Sequence, residues 1–205
     1  MKHEWRKREK DIYLPAANPA KIAVPPINYF TLKGKGNPNN EAFKESVETL
    51  YALSYAIRML PKKGITHDGY YEYTVFPLEG VWDLDEEGRQ LEHLDKDRLV
   101  YKLMIRQPEF VTADLFSFAK EVSAKKVSDA LLQSAKFETI EEGLCVQCMH
   151  IGDYDSEHVT FSKMDDFCAA NHLRRIDKRH REIYISDPRK SDSTKLKTVL
   201  RYKVK

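Results

Sequence analysis

The stretch that decides the fold is His180-Arg181-Glu182-Ile183-Tyr184-Ile185-Ser186-Asp187-Pro188. Its isoleucines alternate with polar residues and a proline ends the run, so the pattern predicts a β-strand with one face in a core. The other face carries the carboxylate of Glu182 two residues from the phenol of Tyr184. A carboxylate beside a phenol is an odd choice for a packed face, so this face is predicted to form a functional site.

A second run, Tyr70-Tyr71-Glu72-Tyr73-Thr74-Val75-Phe76-Pro77, has similar spacing and also ends at a proline. Aligning the two prolines sets Tyr73 against Tyr184 and Tyr71 against Glu182. We interpret the two runs as matching strands of two related half-domains. Their facing surfaces are predicted to form one aromatic cleft that contains Glu182.

The remaining pattern repeats the order strand, helix, strand, strand. The predicted elements are 27–33, 41–60, 70–76 and 99–106 in the first half and 144–151, 157–173, 182–186 and 196–204 in the second. This order predicts an α+β fold built as a tandem pseudo-twofold repeat, with antiparallel sheets, helices packed on one side and a central ligand cleft. Residues 1–26 are predicted to be a basic arm and an extended lead-in, and residues 27–205 one domain. Within that domain we expect lobe 1 at about 27–108, a helical connector at 109–141 and lobe 2 at about 142–205.

Composition excludes several classes of function. The chain has 205 residues, 41% hydrophobic and 32% charged, with a net charge of +2, so it gives no general electrostatic case for binding nucleic acid or an anionic membrane. Only the start is basic, around Trp5, and it is predicted to be a solvated arm or helix. No apolar run reaches membrane-spanning length, and three cysteines, an odd number, favour a reducing compartment. The cytoplasm is therefore the expected location.

Two motifs resemble cofactor sites without meeting their requirements. Cys145-x-x-Cys148 lies in a predicted strand, where a spacing of three puts the thiols on opposite faces, and the chain lacks a second pair for zinc. Gly34-x-Gly36 lacks the rest of a dinucleotide or phosphate-loop fingerprint. We therefore expect neither a metal nor a cofactor.

Several motifs together resemble the GyrI-like small-molecule-binding domain family over about residues 11–205. They are Gly34-x-Gly36-x-Pro38, Pro77-Leu78-Glu79-Gly80-x-Trp82, Glu142-Gly143-Leu144-Cys145-Val146-Gln147, His150-Ile151-Gly152-x-Tyr154 and the run from His180 to Pro188. Within the family the chain is similar to stand-alone proteins, some of which hydrolyse cyclopropane-bearing, DNA-alkylating natural products. The resemblance implies a pseudo-twofold α+β fold and a ligand cleft with a glutamate.

The candidate catalytic residues are Glu182, Tyr71 and Tyr184. Glu182 could recognise a cationic compound or act as a general base toward water. For a cyclopropane fused to a dienone, the chemistry that the resemblance implies, Tyr71 or Tyr184 could donate to the carbonyl oxygen as charge develops there. The candidate ligand-binding residues are Trp82, which would stack on a flat substrate, Tyr73, Glu79 and Tyr154.

Each candidate also has a structural interpretation. Glu182 could pair with Arg181, Arg179 or Lys178 on a solvated strand, and Trp82 could belong to the core. Glu79 could cap a turn beside Gly80, and Tyr154 could pack against a helix start.

Three functions remain open from the sequence. The chain could be a cofactor-independent hydrolase that detoxifies reactive electrophiles, a non-catalytic binder or sensor of hydrophobic or cationic compounds, or a gyrase-modulating interaction protein. The expected partner is a hydrophobic or planar small molecule. Nucleic acid is not expected, because the residues before Asp11 are too few for a helix-turn-helix. The sequence does not predict an oligomeric state.

Overall fold

The structure is a computed structural model that describes residues 2–205. The helices within that range are α1 (Trp5–Arg8), α2 (Lys10–Tyr13), α3 (Glu41–Arg58), α4 (Ala113–Ser123), α5 (Asp129–Ser134) and α6 (Glu157–Ala170). The strands are β1 (Ala20–Val24), β2 (Ile27–Lys35), β3 (Leu78–Leu84), β4 (Leu99–Arg106), β5 (Lys136–Ile140), β6 (Gly143–Ile151), β7 (His180–Tyr184) and β8 (Lys197–Lys203).

The chain divides into two compact units. Unit 1 comprises residues 2–4, Ile27–Leu78 and Asp83–Ile140, and unit 2 comprises Trp5–Pro26, Glu79–Trp82 and Glu141–Lys205. The order strand, helix, strand, strand occurs twice along the chain, as β2–α3–β3–β4 and as β6–α6–β7–β8. The strand pairs are antiparallel and helices pack on the sheets, so the predicted α+β fold class and its repeat are confirmed.

In unit 1, β2 lies between β4 and β5, and α3, α4 and α5 pack around this sheet. An aromatic group joins α4 to the sheet, because the ring centroid of Phe30 on β2 lies 4.8 Å from that of Phe116 on α4 and 5.7 Å from that of Phe137 on β5. Strand β5 was not predicted, since its sequence, Lys136-Phe-Glu-Thr-Ile140, offers only two apolar residues.

In unit 2 the strand order is β1, β6, β8, β7, followed by residues 79–82 of β3. Helix α6 packs on β6 over a buried core of Val146, Cys148, Met164, Leu200 and Tyr202. Strand β7 therefore has a partner on each side. In the β3–β7 pair, Gly80 lies opposite Glu182 and Trp82 lies opposite His180.

The first 26 residues differ from the predicted arm and extended lead-in. Residues of α1, α2 and β1 form regular structure within unit 2, and the side chains of Trp5 and Tyr13 are buried with their rings 5.2 Å apart. Strand β1 pairs with β6. The prolines that suggested an extended lead-in flank β1 rather than interrupt it.

The predicted strand at residues 70–76 is wrong. These residues form no regular strand, and only Tyr73 makes a single bridge, to His3. Their aromatic side chains pack against one another and against Phe110 rather than alternating across a sheet. The strand after α3 is β3, so the counterpart of β7 is Leu78–Leu84 and the alignment of the two prolines does not match equivalent strands.

Candidate functional site

Strand β7 presents His180, Glu182 and Tyr184 on one face, because successive side chains alternate across a strand. Nε2 of His180 lies 3.0 Å from Oε1 of Glu182, within hydrogen-bond distance. In the pairing with β3, the residue opposite Glu182 is Gly80. Since directly paired residues share a face, no side chain from β3 lies opposite the carboxylate at that position.

Two hydrogen bonds in series connect Trp82 to Tyr184 and Tyr184 to Glu182. The indole Nε1–H of Trp82 donates to the Tyr184 hydroxyl at 2.8 Å, which leaves the phenol proton to be donated elsewhere. Burial raises the pKa of Tyr184 well above its ordinary value, and the charge of Glu182 and a hydrogen bond to it act in the same direction. Tyr184 is therefore a neutral donor that orients the Glu182 carboxylate.

The sequence reasoning missed Glu157, a second carboxyl group close to Glu182. Glu157 lies in the first turn of α6 and is only 7% exposed, and its Oε1 has no hydrogen-bond partner. Burial, followed by the negative charges of Glu182 and Asp155, raises the pKa of Glu157 to about 9. Glu157 is therefore protonated at neutral pH.

The side chains of Glu157, His180 and Glu182 converge. Each offers one nitrogen or oxygen atom, and these atoms lie within 4.8 Å of one another. That separation is small enough for one water molecule or a small cation to contact all three groups. The ring of Phe161 packs edge-on against that of His180, with 4.9 Å between the centroids, and limits its movement.

Tyr154 is at the exposed end of the site. Its side chain is 40% exposed, and its ring stands edge-on to that of Tyr184, with 6.0 Å between the centroids. Partial burial and then the charges of Glu182 and Glu157 raise the pKa of Tyr154 to about 12. Of the residues predicted from the sequence, the structure thus gathers Glu182, Tyr184, Trp82 and Tyr154.

Tyr71 and Tyr73 belong to unit 1. The Tyr71 hydroxyl donates to Oε2 of Glu109 at 2.7 Å, and the rings of the two tyrosines lie 6.2 Å apart beside Phe110. Tyr73 is fully buried, and its hydroxyl has no hydrogen-bond partner. The catalytic role of Tyr71 and the ligand-binding role of Tyr73 stay predictions.

Glu79 belongs to a buried ionic network that the sequence did not reveal. Its Oε2 contacts Nη1 of Arg181 at 2.5 Å, and Arg181 also pairs with Glu142 at 3.0 Å. Glu142 pairs in turn with Arg201 at 2.9 Å. Glu79 is fully buried, so the structure gives it a partner inside unit 2, and a ligand-binding role for it stays a prediction.

Comparisons with known proteins identify the family. Residues 17–204 match the GyrI-like small-molecule-binding domain. A crystal structure of a hydrolase from Listeria innocua is 38% identical, with complete coverage of both chains and a TM-score of 0.91. An uncharacterised conserved protein from the same organism is 39% identical, covering 99% of this chain and 100% of its own, with a TM-score of 0.90. Among curated proteins, none matches the chain.

A more distant similarity concerns the fold alone. The C-terminal domain of EcmrR is 12% identical, with a TM-score of 0.53 over 92% of this chain and 97% of its own.

The fold and site define a small-molecule-binding α+β domain, and the chain belongs to the GyrI-like small-molecule-binding domain family. Within residues 2–205, no helix is long and apolar enough to cross a membrane.

The raised pKa of Glu157 predicts a change in stability with pH. Between pH 4.5 and about 9 the folded state holds a proton that the unfolded state has released, so the free energy of unfolding falls as pH rises through this window. We expect Glu157→Gln to raise the free energy of unfolding by about 1–3 kcal/mol at pH 7.5 and to change it little at pH 4. Urea unfolding at both pH values measures the difference.

Asp166→Asn is the matched control, because Asp166 is an exposed carboxylate on the same helix. It should leave stability unchanged at both pH values. A Glu157→Gln protein that is no more stable than the wild type at pH 7.5 would contradict the assignment of a protonated, buried Glu157.

Proposed function

We propose that the protein is a hydrolase that adds water to strained, cyclopropane-bearing electrophiles, with Glu182 as the general base. The observation that carries this proposal is the setting of Glu182, whose carboxylate is hydrogen-bonded to His180 and Tyr184 but faces a glycine on β3. Membership of a small-molecule-binding family and close similarity to a protein described as a hydrolase support it. Detoxification in the cytoplasm would be the physiological role.

The proposed reaction is a ring-opening hydration. The oxygen of water bonds to the ring carbon, one carbon–carbon bond of the cyclopropane breaks, and its electron pair moves through the dienone to the carbonyl oxygen. Glu182 takes the proton of the attacking water, and the oxygen that gains charge is protonated to give a phenol. No net proton, electron or cofactor is required, since the product equals the substrate plus one water.

Three aromatic side chains have proposed roles in this reaction. Tyr184 holds the Glu182 carboxylate in position, supported by its hydrogen bond from Trp82. Tyr154, half exposed beside Tyr184, offers a flat surface for a planar substrate, whereas Trp82 is only 5% exposed and acts through its hydrogen bond to Tyr184.

The test is incubation of the wild-type protein with a spirocyclopropyl cyclohexadienone in ¹⁸O-labelled water, followed by mass spectrometry. We expect a product one labelled water heavier than the substrate, formed in many turnovers per protein molecule. Recovery of unaltered compound would contradict hydrolysis.

The second candidate is a binder or sensor of hydrophobic or cationic compounds. The observation that favours it is the half-exposed ring of Tyr154 next to the site that contains Glu182, since aromatic faces and a carboxylate together attract organic cations. Tight binding of a cationic dye, without conversion of the spirocyclopropane, would support this candidate.

A further inference from the structure

A mechanism that uses Glu182 alone gives no role to Glu157 and does not explain why its carboxyl group is buried. Glu157 is only 7% exposed, yet its Oε1 makes no hydrogen bond. A buried polar oxygen without a partner destabilises the fold, so such atoms tend to mark a place that a ligand or a water fills. Glu157 also contributes a carboxyl oxygen to the cluster with His180 and Glu182.

The distances in the cluster suit a water molecule. A water that donates both of its hydrogens spans two acceptors that are about 4.5 Å apart, because each hydrogen bond is about 2.8 Å long. The donor and acceptor atoms of Glu157, His180 and Glu182 lie within 4.8 Å of one another. One water can therefore bridge the two carboxyl groups.

We propose that Glu157 is a second catalytic residue, whose Oε1 holds the attacking water together with Glu182. This inference rests on the proposed hydrolase function. The water donates one hydrogen to each carboxyl group, which directs a lone pair of its oxygen away from both and toward the substrate. Glu182 takes one proton as the carbon–oxygen bond forms, while Glu157 accepts a hydrogen bond and keeps its own proton.

The division of roles follows from the surroundings of the two carboxyl groups. Glu182 receives hydrogen bonds from His180 and Tyr184, which stabilise a carboxylate. The titratable and charged groups that face Glu157 are Glu182, His180 and Tyr184 on β7 and Tyr154 and Asp155 before α6. The carboxylates among them disfavour a second negative charge, so Glu157 is suited to be the neutral acceptor.

The test compares Glu157→Gln with Glu157→Leu, using the spirocyclopropane substrate. Glutamine retains a neutral carbonyl acceptor, and we expect its kcat to stay within about fivefold of the wild type. Leucine has no acceptor, and a misplaced water should lower kcat roughly tenfold to a hundredfold with KM changed less than about threefold. Asp166→Asn is the control from the exposed side of α6.

The pH profile gives a readout that a structural role would not change. Wild-type activity should fall as pH rises through about 9, when Glu157 ionises, and Glu157→Gln should lack this limb. A Leu variant with full kcat, a Gln variant as impaired as Leu, or a wild-type activity that is lost on chelation of metal ions would overturn the proposal. If the wild type itself adds no water, the hydrolase function fails as well, so the two failures are distinguishable.

Discussion

Glu182→Gln is expected to lower kcat for water addition by about 10²–10⁴-fold, which is the usual contribution of a general base. Glutamine is close to glutamate in shape and retains an acceptor for His180 and Tyr184, so the hydrogen bonds around position 182 can persist. What it lacks is the ability to take a proton from water. The variant is therefore a test of chemistry rather than of folding.

The measurement separates binding from turnover. For an uncharged substrate we expect KM to change little, and thermal unfolding to show a folded protein. Glu45→Gln, an exposed glutamate on α3, is the matched control and should keep wild-type kinetics. A Glu182→Gln protein with full turnover would exclude Glu182 as the base. Loss of dye binding, in a protein with no turnover before the substitution, would instead support the binder.

The sequence predicted the strand that carries the site because two independent signals agree there. The alternating isoleucines and the terminal proline of the β7 segment defined both its strand character and the face that holds Glu182. His180 could have been found by the same alternation, since it lies two residues before Glu182. It was passed over because a single histidine in a run of basic residues carries little information.

Glu157 could not be recognised from the sequence for a physical reason. A glutamate in the first turn of a helix is an ordinary choice, since it complements the helix dipole at an exposed end. Its burial depends on how α6 packs on unit 2, which the local pattern does not specify. The hydrogen bond between Trp82 and Tyr184 likewise depends on the register of β3 against β7.

The prediction of a strand at residues 70–76 was wrong because aromatic residues can be buried in two ways. Spacing of two is typical of a strand, but tyrosine and phenylalanine rings also bury one another in irregular segments. Here Tyr71 and Tyr73 pack against Phe110, and the backbone forms no regular strand. The strand after α3 begins only at Leu78, where a proline precedes a mixed sequence with weak alternation.

The second large effect concerns Arg201, a fully buried residue on β8. Its guanidinium donates to Glu142 at 2.9 Å, to Gln147 at 3.1 and 2.8 Å and to the carbonyl of Ile12 at 2.7 Å. Arg201→Met fills a similar volume but leaves these acceptors unpaired. We expect the free energy of unfolding to fall by about 3–5 kcal/mol, the usual loss when one partner of a buried ion pair is removed.

The measurement is urea unfolding followed by circular dichroism. Arg174→Met is the matched control, because Arg174 is exposed and should tolerate the change within about 0.5 kcal/mol. An Arg201→Met protein as stable as the wild type would show that the network contributes nothing to folding.

A double variant tests whether the loss comes from unpaired charge. Burial acts to raise the pKa of Glu142, but Arg181 and Arg201 hold it below its ordinary value, so Glu142 is ionised in the folded protein. Removing Arg201 leaves the ionised Glu142 and the buried Glu79, whose pKa burial raises, with Arg181 as their shared guanidinium. Removing Glu142 as well restores balance, so Arg201→Met with Glu142→Leu should be less destabilised than the sum of the single variants. Additive losses would mean that packing, rather than charge, accounts for the effect of Arg201.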